Sequence, residues 1–258
     1  TFDGNQIGLG TVVGGGSGPT RPGGTLLLAE TNNITANSIL IADSPSVGLG
    51  GHTNLLELGT TNTISADTIT VGGDQVVGTG GGSNGTVNFL DSSVTAFLDE
   101  LVVGRKPNNA TGTTNGTLSF NSGTIDVNSV QLGVRTNAGS AGNVTGTINQ
   151  SGGTMIVNGD MELGVDGGND GNFGVGNYNL SAGTLSFNDT SAATQMPTTP
   201  SSTLFVNEGS AFNFSGGTLE NVTTIDVALS NSPFTVGDDT GSEAIFVIGS
   251  NGVSDPDN

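Results

Sequence analysis

Ile34-Thr35-Ala36-Asn37-Ser38-Ile39-Leu40-Ile41, Ile64-Ser65-Ala66-Asp67-Thr68-Ile69-Thr70-Val71 and Ile125-Asp126-Val127-Asn128-Ser129-Val130-Gln131-Leu132 are one motif read three times. Apolar residues alternate with small polar ones, an Asn or Asp interrupts, and a second apolar run follows. The interrupting residue recurs as Asn37, Asp67, Asp99, Asn128, Asn158 and Asn188, with Ser215 as a seventh member. The interval is about 30 residues, inside the roughly 20–50 that marks a repeat architecture. Period-two alternation marks strands.

Working outward, each repeat reads as three strands and a loop. A first strand opens with Thr or Asn, as in Thr86-Val87-Asn88-Phe89, Thr117-Leu118-Ser119-Phe120, Asn177-Tyr178-Asn179-Leu180 and Thr203-Leu204-Phe205-Val206. A short Ser/Gly/Asn turn leads to the second strand, and the Asn/Asp position separates this from the third. The third strand points Ile39/Ile41, Ile69/Val71, Leu101/Val103, Val130/Leu132 and Met161/Leu163 inward, and Leu40, Thr70, Val102, Gln131 and Glu162 outward. Ala42, Gly72, Gly104, Gly133 and Gly164 close it at a corner suited to positive φ. The expected fold is all-β: a parallel β-solenoid, or β-helix, with three strands per coil and about seven coils of roughly 30 residues.

In such a stack, equivalent residues lie about 4.8 Å apart in adjacent coils. An Asn column then forms a ladder, each amide donating to the next, and Asn also tolerates a left-handed corner. Stacked carboxylates repel. Asp67 and Asp99, consecutive in the column, therefore mark a place for a cation or a raised pKa.

Composition agrees with a narrow core. Hydrophobic residues make up 33% of the 258, and 45 are Gly. The net charge of −19 sets 23 acids against Arg21, Arg105, Lys106 and Arg135. Without a basic patch, nucleic acid and anionic membrane surfaces are not expected partners. Cysteine is absent, which excludes disulfides and thiolate chemistry. No run approaches the roughly 18 apolar residues of a spanning helix, so no membrane insertion is expected. The opening residues do not read as a signal peptide, which suggests a processed or excised form.

The organisation expected is an N-terminal arm or cap over 1–24, solenoid repeats over 25–222, and C-terminal strands with an acidic tail over 223–258. The region Asp189 to Ser202 disturbs the pattern with Met196, Pro197 and Pro200.

Motifs for chemistry are sparse. Gly80-Gly81-Gly82-Ser83-Asn84-Gly85 fits a dinucleotide-loop spacing but precedes a strand-like run rather than a helix. His52 stands alone in a Gly-rich stretch and reads as a surface loop residue. The oxygen-rich segments around Asp166 and Asp170, and around Asp238 and Asp239, are candidate calcium ligands. Asp126, Glu162 and nearby Asp160 suggest an outward acidic column of the kind used on carbohydrates, but it lacks basic partners. Arg105, Lys106 and Arg135 read as solvated loop charges. No catalytic residue and no required cofactor are expected, calcium being the candidate ion.

The units Gly116-Thr117-Leu118-Ser119-Phe120-Asn121-Ser122-Gly123-Thr124-Ile125-Asp126-Val127 and Gly146-Thr147-Ile148-Asn149-Gln150-Ser151-Gly152-Gly153-Thr154 resemble the Gly/Thr/Asn-rich strand repeats of autotransporter passenger domains. They also resemble exported β-helix proteins of planctomycete and verrucomicrobial bacteria. The resemblance spans about residues 25–222 and implies an extracellular or cell-surface bacterial location, with no catalytic residues to transfer. The function expected is structural: a subunit of a self-assembling filament or matrix, polymerising through its terminal coils or N-terminal arm, or an adhesin stalk. The alternative is a carbohydrate-binding or carbohydrate-cleaving β-helix.

Overall fold

The computed structural model describes residues 1–9, 23–44, 52–74, 83–106, 112–136, 143–167, 173–187, 202–228, 232–237 and 244–247. No helix occurs among them, and so none that could cross a membrane. The strands wind as a parallel β-solenoid with three faces. The pairs β2 (Gly24–Leu27) with β3 (Thr31–Ser44), β4 (His52–Glu57) with β5 (Thr61–Asp74), β6 (Ser83–Phe89) with β7 (Ser93–Lys106), and β8 (Thr114–Phe120) with β9 (Gly123–Arg135) each make one turn. The first strand of each pair lies on the first face. The second bends midway and serves the second and third. In the next turn β10 (Val144–Val157) covers two faces and β11 (Met161–Asp166) the third.

These are about five regular turns, against the seven expected. After them the strands are interrupted and shortened. β12 (Val175–Phe187) and β13 (Thr203–Val206) are separated by the long segment that the sequence marked as disturbed. β14 (Ala211–Phe214), β15 (Gly217–Glu220), β16 (Thr224–Val227), β17 (Phe234–Val236) and β18 (Ala244–Val247) hold three or four residues each.

One expectation shifts in phase, and strands carry the ladders into both terminal regions. Thr203–Val206 is a third-face strand, pairing Leu204 with Met161, because the preceding insertion displaces the repeat. Phe2–Leu9, placed in an arm or cap, form strand β1 in register with β3, Ile7 opposite Ile39. At the other end the ladders run on past 222, with β16, β17 and β18 each pairing in parallel on the turn before. Residues 10–22 lie outside the described set.

The core is a set of ladders. One runs Leu26, Leu56, Val87, Leu118, Ile148, Tyr178, Phe212 and Phe234 through successive registers. Burying each large aliphatic or aromatic side chain contributes about 1.5–3 kcal/mol. Toward the C-terminal end the ladder becomes aromatic: Tyr178 stacks on Phe212 with ring centroids 5.5 Å apart, and Phe212 on Phe234 at 5.1 Å. All five inward pairs of the third strand are buried. Thr70 and Val102, expected to face solvent, are buried too, Val102 in a small outer apolar cluster with Val134 and Val165.

The corner between the third and first faces is closed by Ala42, Gly72, Gly104, Gly133 and Gly164, all at positive φ. Here backbone meets backbone. A Cβ on Gly104 would lie 2.4 Å from the Thr145 carbonyl oxygen, and one on Gly146 only 1.8 Å from that of Val103. The glycines are thus needed for close approach as well as for the turn.

Candidate functional site

The Asn/Asp column lies at the corner between the second and third faces. Ala36 pairs with Ala66 and Ser38 with Thr68, while the column residues between them bulge outward. Asn37, Asp67, Asp99 and Asn128 are exposed and Asn158 half-buried; Asn188 falls outside the described residues. The ladder is real over part of its length. Asn128 Nδ2 donates to Asp99 Oδ1 at 3.0 Å, and Asn158 Nδ2 to Asn128 Oδ1 at 3.2 Å and to Asp126 Oδ1 at 2.7 Å. Left-handed geometry is not its basis, since none of these five described members has positive φ. Ser215 is not a seventh member, and Asn221, one residue after the partner of Ser186, is level with Phe187 rather than Asn188. Ser215 follows Phe214, the partner of Leu180, and so turns the first face into the second. Asn221 follows Glu220, the partner of Ser186, has φ 61° and donates to Ser186 Oγ.

A second amide ladder, not anticipated, runs up the outside of the first face. Asn149 donates to Ser119 Oγ, Asn179 to Asn149 Oδ1 and Asn213 to Asn179 Oδ1. Its signal was present in the sequence as the Asn or Ser in third place in residues 86–89, 117–120 and 177–180.

Beside the column, a concavity of about 260 Å³ is lined by Ser65, Ala66, Asp67, Phe97, Leu98, Asp99, Asp126 and Asn128. Ser65, Phe97 and Asp126 are register partners on the outside of the second face. Phe97 is 53% exposed. Ala96 and Leu98 occupy the inward positions here, and alternation turns Phe97 out. Asp67 accepts no side-chain or backbone hydrogen bond among the described residues, whereas Asp99 and Asp126 each accept one from the amide column.

Asp126 and Glu162 do not share a column. Asp126 belongs to the second face, whereas Glu162 pairs with Gln131 and Phe205 on the third. Desolvation raises the Glu162 pKa, the Asn207 amide at 3.1 Å opposes this, and the Asp160 charge adds to it. Asp160 Oδ1 accepts from the Thr203 amide at 2.8 Å, so this acidic pair ties β11 to β13.

Of the calcium candidates, Asp166 ends β11 opposite Arg135, and Asp170, Asp238 and Asp239 lie outside the described residues. Among those described, no three acidic or His side chains are grouped to hold a metal ion. Arg105, Lys106 and Arg135 are strand residues rather than loop charges; Lys106 is 2% exposed, and Arg135 Nε donates to the Phe173 carbonyl oxygen. His52 begins β4, and Ser83–Phe89 after the glycine run is a strand. A larger apolar hollow of about 450 Å³ opens at the N-terminal end of the core, bounded by Phe2, Ile7, Leu26, Leu28, Ile34 and Leu56 among others.

Comparison with known proteins finds no matching family model, no significantly similar curated protein and no significantly similar solved structure.

Proposed function

We propose that this chain is a structural element of a bacterial extracellular or cell-surface assembly, acting as the subunit of a filament or matrix or as an adhesin stalk. One observation carries the reading. The three ladders hold the same strand polarity throughout, and β1 and β2 at one end and β16, β17 and β18 at the other each have one edge unpaired among the described residues. Unpaired edges are templates for further pairing. A head-to-tail contact of this kind does not close on itself and extends into a fibre. The hollow at the N-terminal end offers apolar surface for the contact, and the large negative charge keeps the lateral faces apart.

Negative-stain electron microscopy of the purified chain, with calcium and with chelator, tests the reading. Uniform fibres support the filament subunit, and their loss in chelator assigns calcium a role in assembly. Isolated rods in both conditions refute self-assembly and leave the stalk.

A further inference from the structure

We propose that the concavity at Phe97 is a binding shelf for neutral glycans, seating one pyranose ring of a polysaccharide. The role goes beyond a filament or stalk, since either would display the shelf on its lateral face.

Phe97 is the anomaly that leads there. Its column on the outside of the second face contains Thr35, Ser65, Asp126 and Ser186, and one other large apolar residue, Ile156, which is half-buried where Phe97 lies open. Phe97 adds nothing to the core and stands 53% exposed. An aromatic ring laid open at the floor of a polar concavity has the anatomy of a ligand site: apolar contact surface with a few polar groups that orient the ligand. A pyranose matches it. Its axial C–H face lies on a ring, and its equatorial hydroxyls reach outward to acceptors.

The acceptors are in place. Asp67 and Asp99 stand at the rim in consecutive coils, about 4.8 Å apart along the stack, with Asp126 and Asn128 in the next. Ionised carboxylates only accept, and hydroxyl-to-carboxylate bonds are among the stronger hydrogen bonds. Asn128 donates one N–H to Asp99 Oδ1, and Asn158 occupies Asp126 Oδ1. Asp67 accepts no hydrogen bond from the described residues, and its carboxylate lines the concavity.

The same charges set specificity. Uronic acids, sulfated sugars and sialic acids would bring an anion against three carboxylates in a chain of net charge −19, and like charges at this range repel. The volume of about 260 Å³ lies below the roughly 300–1,000 Å³ of pockets that enclose drug-sized ligands. One ring sits down while the rest of the polymer passes over the surface, which implies weak single-site binding strengthened by repetition along a fibre or by several chains.

The test is calorimetric titration and saturation-transfer NMR of the intact chain, in chelator, with cellohexaose, xylohexaose, mannohexaose and a chitohexaose, and with hexagalacturonate as the anionic probe. At least one neutral hexaose is expected to bind with a millimolar or tighter Kd, and hexagalacturonate is not. Phe97→Ala should weaken binding about tenfold, and Asp67→Asn by a smaller factor. Phe97 is exposed and outside the core, so the Ala variant should keep the β circular dichroism of the parent and serve as a clean control. Absence of binding by every neutral probe, binding undiminished in Phe97→Ala, or equal binding of the anionic probe overturns the proposal. None of these outcomes depends on whether fibres form.

Discussion

Tyr178 and Gln150 offer a sharp test of how the core is held. Both are fully buried in the inner ladders, Gln150 between Phe120 and Leu180 in register. The Tyr178 hydroxyl donates to Gln150 Oε1, and Gln150 Nε2 donates to the Thr184 carbonyl oxygen at 2.9 Å and that of Gly153 at 3.2 Å. Tyr178→Phe preserves the stack on Phe212 and leaves the amide oxygen without its donor. A buried polar group stripped of its partner costs about 1–3 kcal/mol. Gln150→Leu leaves the phenol hydroxyl only the Met155 sulfur at 3.5 Å and takes the amide donor from two carbonyls, at a similar or larger cost, though Leu suits its apolar neighbours. Combining the two removes both ends of the Tyr–Gln bond, and the remaining loss, the amide donor to the Thr184 and Gly153 carbonyls, is shared with Gln150→Leu and cancels in the cycle. The sum of the single losses should therefore exceed the double loss by about 2 kcal/mol or more. Urea unfolding followed by circular dichroism measures the cycle. Amide exchange in β10 and β12 checks that the loss is local, since repeat arrays need not unfold as one unit. Singles that add to the double within about 0.5 kcal/mol, the limit for uncoupled sites, would refute the argument.

Tyr178 is the sole Tyr and there is no Trp, so phenolate absorbance reports this one group. Burial raises its pKa well above the ordinary value, so its contribution to stability is intact below about pH 10 and lost as pH rises through the folded value. Phenolate absorbance should rise only together with loss of the β circular dichroism; a titration at ordinary Tyr pH with the fold intact would contradict the burial. Gly146→Ala forces a Cβ against the Val103 carbonyl oxygen, and should cost at least the 1–3 kcal/mol of an overpacked core, or about that much in urea unfolding. Glu162 has a raised pKa, so the folded state favours its protonated form, and the stability it contributes at low pH fades as pH rises through the folded value. Glu162→Gln should then be more stable than the parent at neutral pH and less dependent on acidification, as read by thermal melts across the carboxylate range. Asp67→Asn should relieve repulsion with Asp99 and supply a donor to it, raising the melting midpoint at low ionic strength, with the gain shrinking in salt.

The core was legible because it is periodic. Ile39/Ile41 through Met161/Leu163 could be assigned inward from alternation alone, and the positive-φ corners from a small residue at a fixed offset. What failed were assignments that needed phase or cross-coil geometry. Thr203–Val206 looks like a first strand because it opens with Thr, but the insertion before it moves it to the third face. Ser215 matched the spacing of the column, but it follows the partner of Leu180 and so lies at the turn from the first face to the second. Lys106 read as a loop charge since nothing in a single sequence shows that its strand continues to it. The outward direction of Phe97 was legible, since its neighbours Ala96 and Leu98 take the inward positions. The calcium segments could not be judged by pattern, for Asp166 alone of the four named acids lies among the described residues.

The column explains why the shelf arises where it does. An amide can both donate and accept, so Asn158 bonds Asn128, and Asn128 bonds Asp99. A carboxylate only accepts, and the chain of donors must stop at the first one it reaches. Asp99 is that stop, and Asp67 beyond it receives no amide among the described residues. For stacking alone, Asn at both positions would serve better, since it would extend the ladder and remove the repulsion. Two consecutive acids instead give up part of the ladder and leave acceptors turned to solvent, in the same turn where alternation turns the aromatic ring of Phe97 outward. The break in the amide ladder and the open aromatic ring fall on one spot, which is where a ligand would find both acceptors and an apolar surface.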